Sequence, residues 1–262
     1  PIPNYWAVID FLLKACLQCK ATIKTNEPVV EINTTRNVEV VTTLAKYNCR
    51  KILIAVPLGI LQRSKNSAGY INFPSSVVKH IKAAKKIGSG GVIKFLFEFD
   101  EAFWLNKKFL DKKNIPAPSY IFTDTKIPTW WTQYPADYPL LTGWVAGPDS
   151  HKMKNYSPRK LKKIGLEALS SVFSMPPEAL NDRLKTATII NWIKEPYIFG
   201  GYSYPTLQTE MARNIISEPV GNSFYFAGEY VIKDSSSTVD AALQSGQEAA
   251  KKILRAYSGK SL

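Results

Sequence analysis

The sequence predicts a mixed α/β fold, and three observations carry that prediction. Stretches with apolar residues at helical spacing alternate with short β-rich runs. One run, Ile52–Val56, is apolar at every position, which suits a buried parallel strand. The stretch Thr238–Leu254 pairs a capping signal with a clear helical period. With 45% hydrophobic and 21% charged residues, the chain is globular, neither disordered nor fibrous. Its 262 residues suffice for one large domain or two modest ones.

In order along the chain, residues 4–19 read as an amphipathic helix, with Ile9, Leu12, Leu13 and Cys16 on one face. Val29–Ile32, Val38–Thr42 and Ile52–Val56 read as strands, the last ended by Pro57, Leu58 and Gly59. Residues 76–87 look helical until Gly88–Gly91 breaks the pattern. Val92–Phe99 is an aromatic-rich strand, and 105–119 is a basic, proline-containing loop. Residues 120–145 hold strand-like segments rich in Trp and Tyr. Helices are expected over 158–173 and from Pro176, a strand over Ala187–Trp192, and a loop over Pro196–Thr206. Ser223–Ala227 is a short apolar strand, and Thr238–Leu254 closes the chain as its best helix.

Several classes are excluded or disfavoured. Three cysteines make no disulfide scaffold and no four-cysteine zinc site, and His80 and His151 are the only histidines, so no metal site is expected. Cys16 and Cys19 are expected one turn apart on a helix. Scarce histidine also argues against a Ser-His-Asp hydrolase. The net charge of +13 suggests an anionic partner. The lysines are scattered, however: Lys79, Lys82, Lys85 and Lys86 read as one solvated helix face, and no nucleic-acid-binding signature is present. Nucleic acid is therefore not the expected partner. No apolar run approaches the ~20 residues a membrane helix needs, so no membrane span is expected.

The last helix carries the first chemical clue. Ser237 and Asp240 fit a capping box, and Val239, Ala242, Leu243, Gly246, Ala250 and Ile253 form a small, apolar stripe suited to close packing on a sheet. A strand feeding a loop that ends at a helix N-terminus aims free backbone N–H groups at the crevice beside it. An ordinary capped packing unit has the same features.

The string FYFAGEYVIKDSSSTVDAALQSGQEAAKKIL (224–254) resembles the C-terminal flavin-binding segment of the flavin-dependent amine oxidases, the family of monoamine, polyamine and L-amino-acid oxidases. Five further strings resemble the family in its own order: NEPVVEI (26–32), KILIAVPLGILQ (51–62), VIKFLFEFDEAFW (92–104), LLTGWVAGP (140–148) and NWIKEPYIFGGYSYP (191–205). The resemblance implies a partial FAD-binding domain (1–60 and 216–262) and a substrate domain (61–215) with an antiparallel sheet flanked by helices. One departure matters. The family's N-terminal G-x-G-x-x-G is absent; the nearest string, Gly88-x-Gly90, ends in Ile93 and follows a helix. The chain thus reads as a C-terminal portion whose partner is a missing N-terminal FAD-binding half.

The resemblance also implies roles. Gly228 and Glu229 match a turn near the phosphate-ribityl part of FAD, and Val29 matches a backbone contact to adenine. Thr238 and Val239 match residues whose N–H groups face the pyrimidine end of the flavin, where a helix N-terminus stabilises negative charge. Lys94 matches a lysine that holds a water near flavin N5; it lies in an apolar strand, where an unpaired ammonium is costly. Tyr202 matches one wall of an aromatic cage for the amine, and Trp192 is a second lining candidate. The opposite wall falls on Thr238, which is not aromatic. Gly201 stands where some members carry the cysteine that bonds FAD, so non-covalent FAD is implied. The implied reaction is oxidation of a C–N bond of a small-molecule amine or amino acid, by hydride transfer to flavin N5 with oxygen as acceptor. An amino acid requires an arginine for its carboxylate, for which Arg63 and Arg213 are the candidates. Two alternatives stay open: an inactive fragment acting as an interaction module, and a related flavoprotein such as a carotenoid desaturase or protoporphyrinogen oxidase.

Overall fold

A computed structural model describes residues 5–34, 36–107, 110–111, 116–233 and 236–258. The start of the helix expected over 4–19 and part of the loop at 105–119 lie outside them.

Helix α1 (Tyr5–Gln18) ends in a left-handed turn: Lys20 has φ 61°, Ala21 N–H donates to Cys16 O at 3.0 Å, and Lys20 N–H donates to Leu17 O at 2.9 Å. The expectation of two cysteines on one helix is corrected, because Cys19 lies past the helix end; both thiols are exposed. No residue of α1 is buried, including the expected face of Ile9, Leu12 and Leu13.

Strands β1 (Val29–Thr34), β2 (Val38–Thr42) and β3 (Lys46–Cys49) form an antiparallel sheet in that order. β3 has no apolar run and went unpredicted. β4 (Ile52–Ile54) is followed by the short helix α2 (Leu58–Leu61), then α3 (Val78–Ala84). Gly88–Gly91 does more than break a helix, because Gly88–Ser89 is itself a strand, β5. β6 (Val92–Phe99), β7 (Tyr120–Phe122), β8 (Thr129–Trp131) and β9 (Leu140–Ala146) follow. Helices α4 (Gly147–Met153), α5 (Pro158–Phe173) and α6 (Pro177–Asp182) lead to β10 (Leu184–Asn191). The segment read as a loop at 196–206 contains β11 (Ser203–Tyr204), which pairs with β5. Unpredicted α7 (Thr209–Ser217), then β12 (Phe224–Phe226) and α8 (Val239–Tyr257), complete the chain.

The fold is mixed α/β. Its main sheet is antiparallel, in the order β10-β6-β9-β8-β7. On β6 the side chains of Ile93, Phe95, Phe97 and Phe99 are fully buried against Trp130, Leu141 and α5. Each such side chain contributes roughly 1.5–3 kcal/mol by burial. Gly165 on α5 permits this approach, since a Cβ there would meet the Phe97 ring at 2.6 Å. α5 starts as its sequence dictates: Ser157 caps it, accepting from Lys160 N–H at 3.2 Å, and Pro158 occupies the first turn. The alternate residues of β6, namely Lys94, Leu96 and Glu98, share the opposite, half-open face.

A second core joins β1, β2, β4, β12 and helices α2, α3 and α7. The parallel strand expected from Ile52 is found, with Ile52, Leu53 and Ile54 beside Phe224, Tyr225 and Phe226, but it ends at Ile54 and is buried on one face only, since Leu53 is exposed. This core also takes in Ile71, Val77, Ala84 and Ala212, so buried clusters do not change over at 60/61 or at 215/216.

Two expectations for the last helix are corrected. Thr238, not Ser237, is the N-cap; its hydroxyl accepts from Ala241 N–H at 3.1 Å, while Ser237 sits one residue earlier at φ 71°. The buried stripe is Ala241, Ser245 and Ala249, whereas Val239 and Leu243 of the expected stripe are exposed. Close packing on β12 selects the smallest side chains and turns the larger apolar ones outward.

His80 on α3 is buried in the second core. It stacks on Phe226 with centroids 5.3 Å apart, and its Nε2–H donates to Glu218 O at 2.8 Å. Burial pushes its pKa below the usual 6.5, helped by Lys79 and opposed by the Glu218 carbonyl. Below pH 6.5 the unfolded chain therefore takes up the proton first, so stability falls as pH drops through that point toward the folded value. Thermal midpoints measured against pH should show this loss, and His80→Phe should remove that part of it.

Candidate functional site

Both strands of the parallel pair β4/β12 run out at the same place. The residues that follow them, Ala55–Gly59 and Gly228–Tyr230, wall a cavity of about 300 Å³. Ser89, Ile198, Gly200, Gly201, Tyr202 and Ala242 complete the lining. A crevice beyond the carboxyl ends of parallel strands is where open α/β sheets bind ligands. A larger hollow of about 640 Å³ lies between α5 and α6, but charged surface residues such as Arg159, Lys163 and Glu178 line it, and it shares no lining residue with this crevice.

The turn after β12 is fastened from every side. Gly228 has φ 152°, and a Cβ there would lie 2.3 Å from the Tyr230 ring, so only glycine fits. Its N–H donates to Ser245 Oγ on α8 at 2.8 Å. The Glu229 carboxylate accepts from Ser203 N–H at 3.0 Å, Ser203 Oγ at 2.6 Å and Ser237 N–H at 2.8 Å. Ser237 Oγ donates in turn to the Ser203 carbonyl. The Tyr230 hydroxyl lies 3.1 Å from the carbonyls of both Val56 and Ala227. Burial pushes that phenol's pKa well up, and the Glu229 charge adds to the shift. Arg213 on α7, itself buried, donates from Nε to Tyr230 O at 3.0 Å. Its burial lowers the guanidinium pKa, an effect the Glu229 charge opposes.

Tyr202 reaches the cavity from the sheet side. Gly201 N–H donates to Gly90 O at 2.8 Å, and Gly90 N–H donates to Tyr202 O at 3.1 Å. Its ring stacks on Trp144 at 6.3 Å and 9°. Trp144 pairs across strands with Lys94 and contacts Trp131, and the Lys94 ammonium lies 5.8 Å from the Trp131 ring centre. Lys94 lies in the apolar strand expected for it, on the half-open face beside aromatic rings.

Of the residues singled out from sequence, the structure brings Gly228, Glu229 and Tyr202 together in the cavity wall. Lys94 stands one ring behind it, next to Trp144. Thr238 and Val239 open α8, which meets the cavity one turn later through Ala242. Val29 opens β1 opposite Thr42 and does not line the cavity. Trp192 does not line it either; its backbone braces the loop, with N–H donating to Val92 O at 3.1 Å and O accepting from Gly200 N–H at 3.0 Å. Neither arginine proposed for a substrate carboxylate is in the wall: Arg213 is buried behind the turn, and Arg63 lies over the Phe199 ring. Glu229 was expected beside a phosphate; its two oxygens are occupied by Ser203 and Ser237. Sequence reasoning missed Ser203, Ser245 and Tyr230 and saw Ser237 only as a helix cap; of these only Tyr230 carried a signal, its place in the AGEY string. Among the described residues, no cluster of three or more His, Cys, Asp or Glu side chains is placed to hold a metal ion, and no helix is long and apolar enough to cross a membrane.

A glycine-rich crevice at the carboxyl ends of parallel strands is the kind of place where α/β folds bind cofactors and nucleotides. The chain belongs to the flavin-containing amine oxidoreductases, whose family model matches residues 8–254. It is similar to amine oxidase (flavin-containing) A of Bos taurus, with 25% identity over 247 residues, 89% of this chain and 43% of that protein. Similarity to amine oxidase (flavin-containing) B of Homo sapiens is 24% over 248 residues, with the same coverage of each. Lysine-specific histone demethylase 1 homolog 3 of Arabidopsis thaliana is 25% identical over 207 residues, 78% of this chain and 12% of that protein. The chain therefore spans less than half the length of these amine oxidases.

Replacing Glu229 by Ala strands the Ser203 and Ser237 N–H groups. Expected outcomes are a loss of about 2 kcal/mol or more in urea unfolding and faster amide exchange at both serines, with Glu229→Gln less severe.

Proposed function

We propose that this chain is the C-terminal part of an FAD-dependent enzyme that oxidises a C–N bond of a small-molecule amine. The observation that carries the reading is the crevice beyond the parallel pair, in a chain of this family. The coverage of 43% of the amine oxidases supports a further partner, an N-terminal half bearing the dinucleotide-binding turn. In this reading 1–60 and 216–262 serve the cofactor, and 61–215 serve the substrate.

The walls fit one end of a flavin. Gly200, Gly201 and Gly228 present backbone instead of side chains, and a flat ring system can lie against such a surface. About 300 Å³ is at the low end of ~300–1,000 Å³ for small-molecule sites. The rest of a dinucleotide is then shared between the partner half and this chain's own β1. Non-covalent attachment is favoured, because none of Cys16, Cys19 and Cys49 lines the cavity. A side chain at Gly201 would also meet Val92 at 2.5 Å. When bound, the cofactor supplies the redox chemistry, taking hydride from the carbon beside the amine nitrogen and passing electrons to oxygen.

This chain's residues do the rest. Tyr202, held flat by Trp144, offers an aromatic face to the amine and keeps water from it. Gly228 allows close approach of the phosphate-ribityl part, with Glu229 holding the turn in place. Thr238 and Val239 bring the positive pole of α8 toward the pyrimidine edge. Lys94 holds a water for reoxidation, Trp192 shapes the loop behind Tyr202, and the Val29 backbone meets the adenine end.

The test joins this chain to an N-terminal half from the family and follows flavin absorbance and peroxide release across an amine panel. Retained flavin and amine-dependent peroxide are expected; a folded complex with neither overturns the reading. Within an active complex, Tyr202→Ala should lower kcat/KM by roughly tenfold or more. Lys94→Met should slow reoxidation by oxygen while leaving reduction by the amine unchanged. An unaltered oxidative step removes Lys94 from the mechanism.

A further inference from the structure

We infer a second ligand site, for a single-chain amphipathic carboxylate of the fatty-acid type, in a cavity between α3 and the segment from Ile60 to Phe73. The cavity measures about 310 Å³ and shares no lining residue with the glycine-rich crevice. It does not depend on the flavin reading.

Its uncharged lining is apolar but for the Tyr70 hydroxyl: Ile60, Leu61, Ile71, Phe73 and Ile81 form a floor, and Val78 stands 40% exposed. Its charged lining residues all have one sign: Arg63, Lys65, Lys82 and Lys85, with no aspartate or glutamate among the lining residues. Among the described residues none of these four forms an ion pair. Arg63 is held in place over the Phe199 ring, 3.4 Å from Cζ to the ring centre, and its Nε donates to Ala68 O at 3.1 Å. The carbonyls at the end of α3 do not neutralise the lysines by direct contact. Gln62 Nε2 takes up Ala84 O at 2.9 Å and Ile87 O at 2.8 Å. From sequence, Lys82 and Lys85 belonged to one solvated stripe with Lys79 and Lys86; in three dimensions the first two border an apolar hollow.

This combination selects its occupant. A cation meets only repulsion at the rim. A peptide brings amide groups for which the apolar floor has no partner, and each costs free energy when buried unpaired. A polyphosphate gains at the rim but leaves the floor unused. A molecule with an apolar tail and one anionic head uses both. The volume, at the low end for small-molecule sites, fits one tail better than a two-tailed lipid.

Calorimetric titration of the chain with decanoate, kept below micelle formation, tests the site. Saturable one-to-one binding is expected, weakening as ionic strength rises, with no binding of decyltrimethylammonium, which has the same tail and the opposite head. Lys82→Glu combined with Lys85→Glu should weaken decanoate by about tenfold. Val78→Ser should weaken it by about threefold. Circular dichroism checks that the variants fold, and the salt and head-group comparisons need no variant. Absence of saturable binding, equal binding of the cationic tail, or indifference of folded variants overturns the proposal. So does binding to phosphatidylserine vesicles without binding to free decanoate, which would make the face a membrane contact instead.

Discussion

The Glu229 carboxylate is the point on which the geometry around the crevice depends. One side chain receives the N–H and hydroxyl of Ser203 and the N–H of Ser237, and so joins three separate stretches of chain. The turn that presents it is locked by Gly228 and by the Tyr230 hydroxyl, which reaches the end of β4. The result is a small polar knot beside the second core, which takes in Tyr230. Charge-assisted bonds of this kind contribute about 1.5–3 kcal/mol each, and losing one partner leaves the others desolvated. The knot fixes where α8 begins, where β11 runs and which way Tyr202 faces.

The sheet contributes rigidity of another kind. Every second residue of β6 is sealed into the first core, which leaves the other face free to carry Lys94, Trp144 and Trp131 without loss of stability. One face of the sheet is thus given to core packing and the other to a half-open aromatic surface. Tyr202 leans on that open face through Trp144, so its ring is positioned by the sheet as well as by its own loop.

Much of this was legible in the sequence, for reasons that differ by element. The unbroken apolar run at Ile52 pointed to a parallel strand, and the parallel partner is there, although Leu53 stays exposed on one face. Ser157 and Pro158 mark the start of α5 because capping is a local matter. The AGEY string gave Gly228 and Glu229 through resemblance. What stayed hidden is non-local or hydrogen-bonded to backbone. Ser203 is 26 residues from Glu229, and an N–H donor carries no residue-type signature. α7 was missed because its buried face includes Thr209 and Arg213, which break the apolar period. Ser237 and Thr238 are both good caps, and only the backbone decides between them. The stripe on α8 was misjudged because tight packing on β12 favours Ala241 and Ser245 over Val239 and Leu243.

The ribbon of β4 and β12 has a consequence of its own. Among the described residues β4 has no strand neighbour but β12, and β12 adds only a bridge between Phe224 and Val220, so most of the ribbon's two outer edges lack a strand partner. Such edges are templates for further strands, including those of identical molecules. Two things restrain that: each strand is three residues long, and the molecule carries a net charge of +13. Colloidal repulsion reaches about 10 Å at 0.1 M ionic strength and only about 3 Å at 1 M. Concentrated salt therefore takes away one of the two restraints on fibril-like growth from the outer edges of the ribbon.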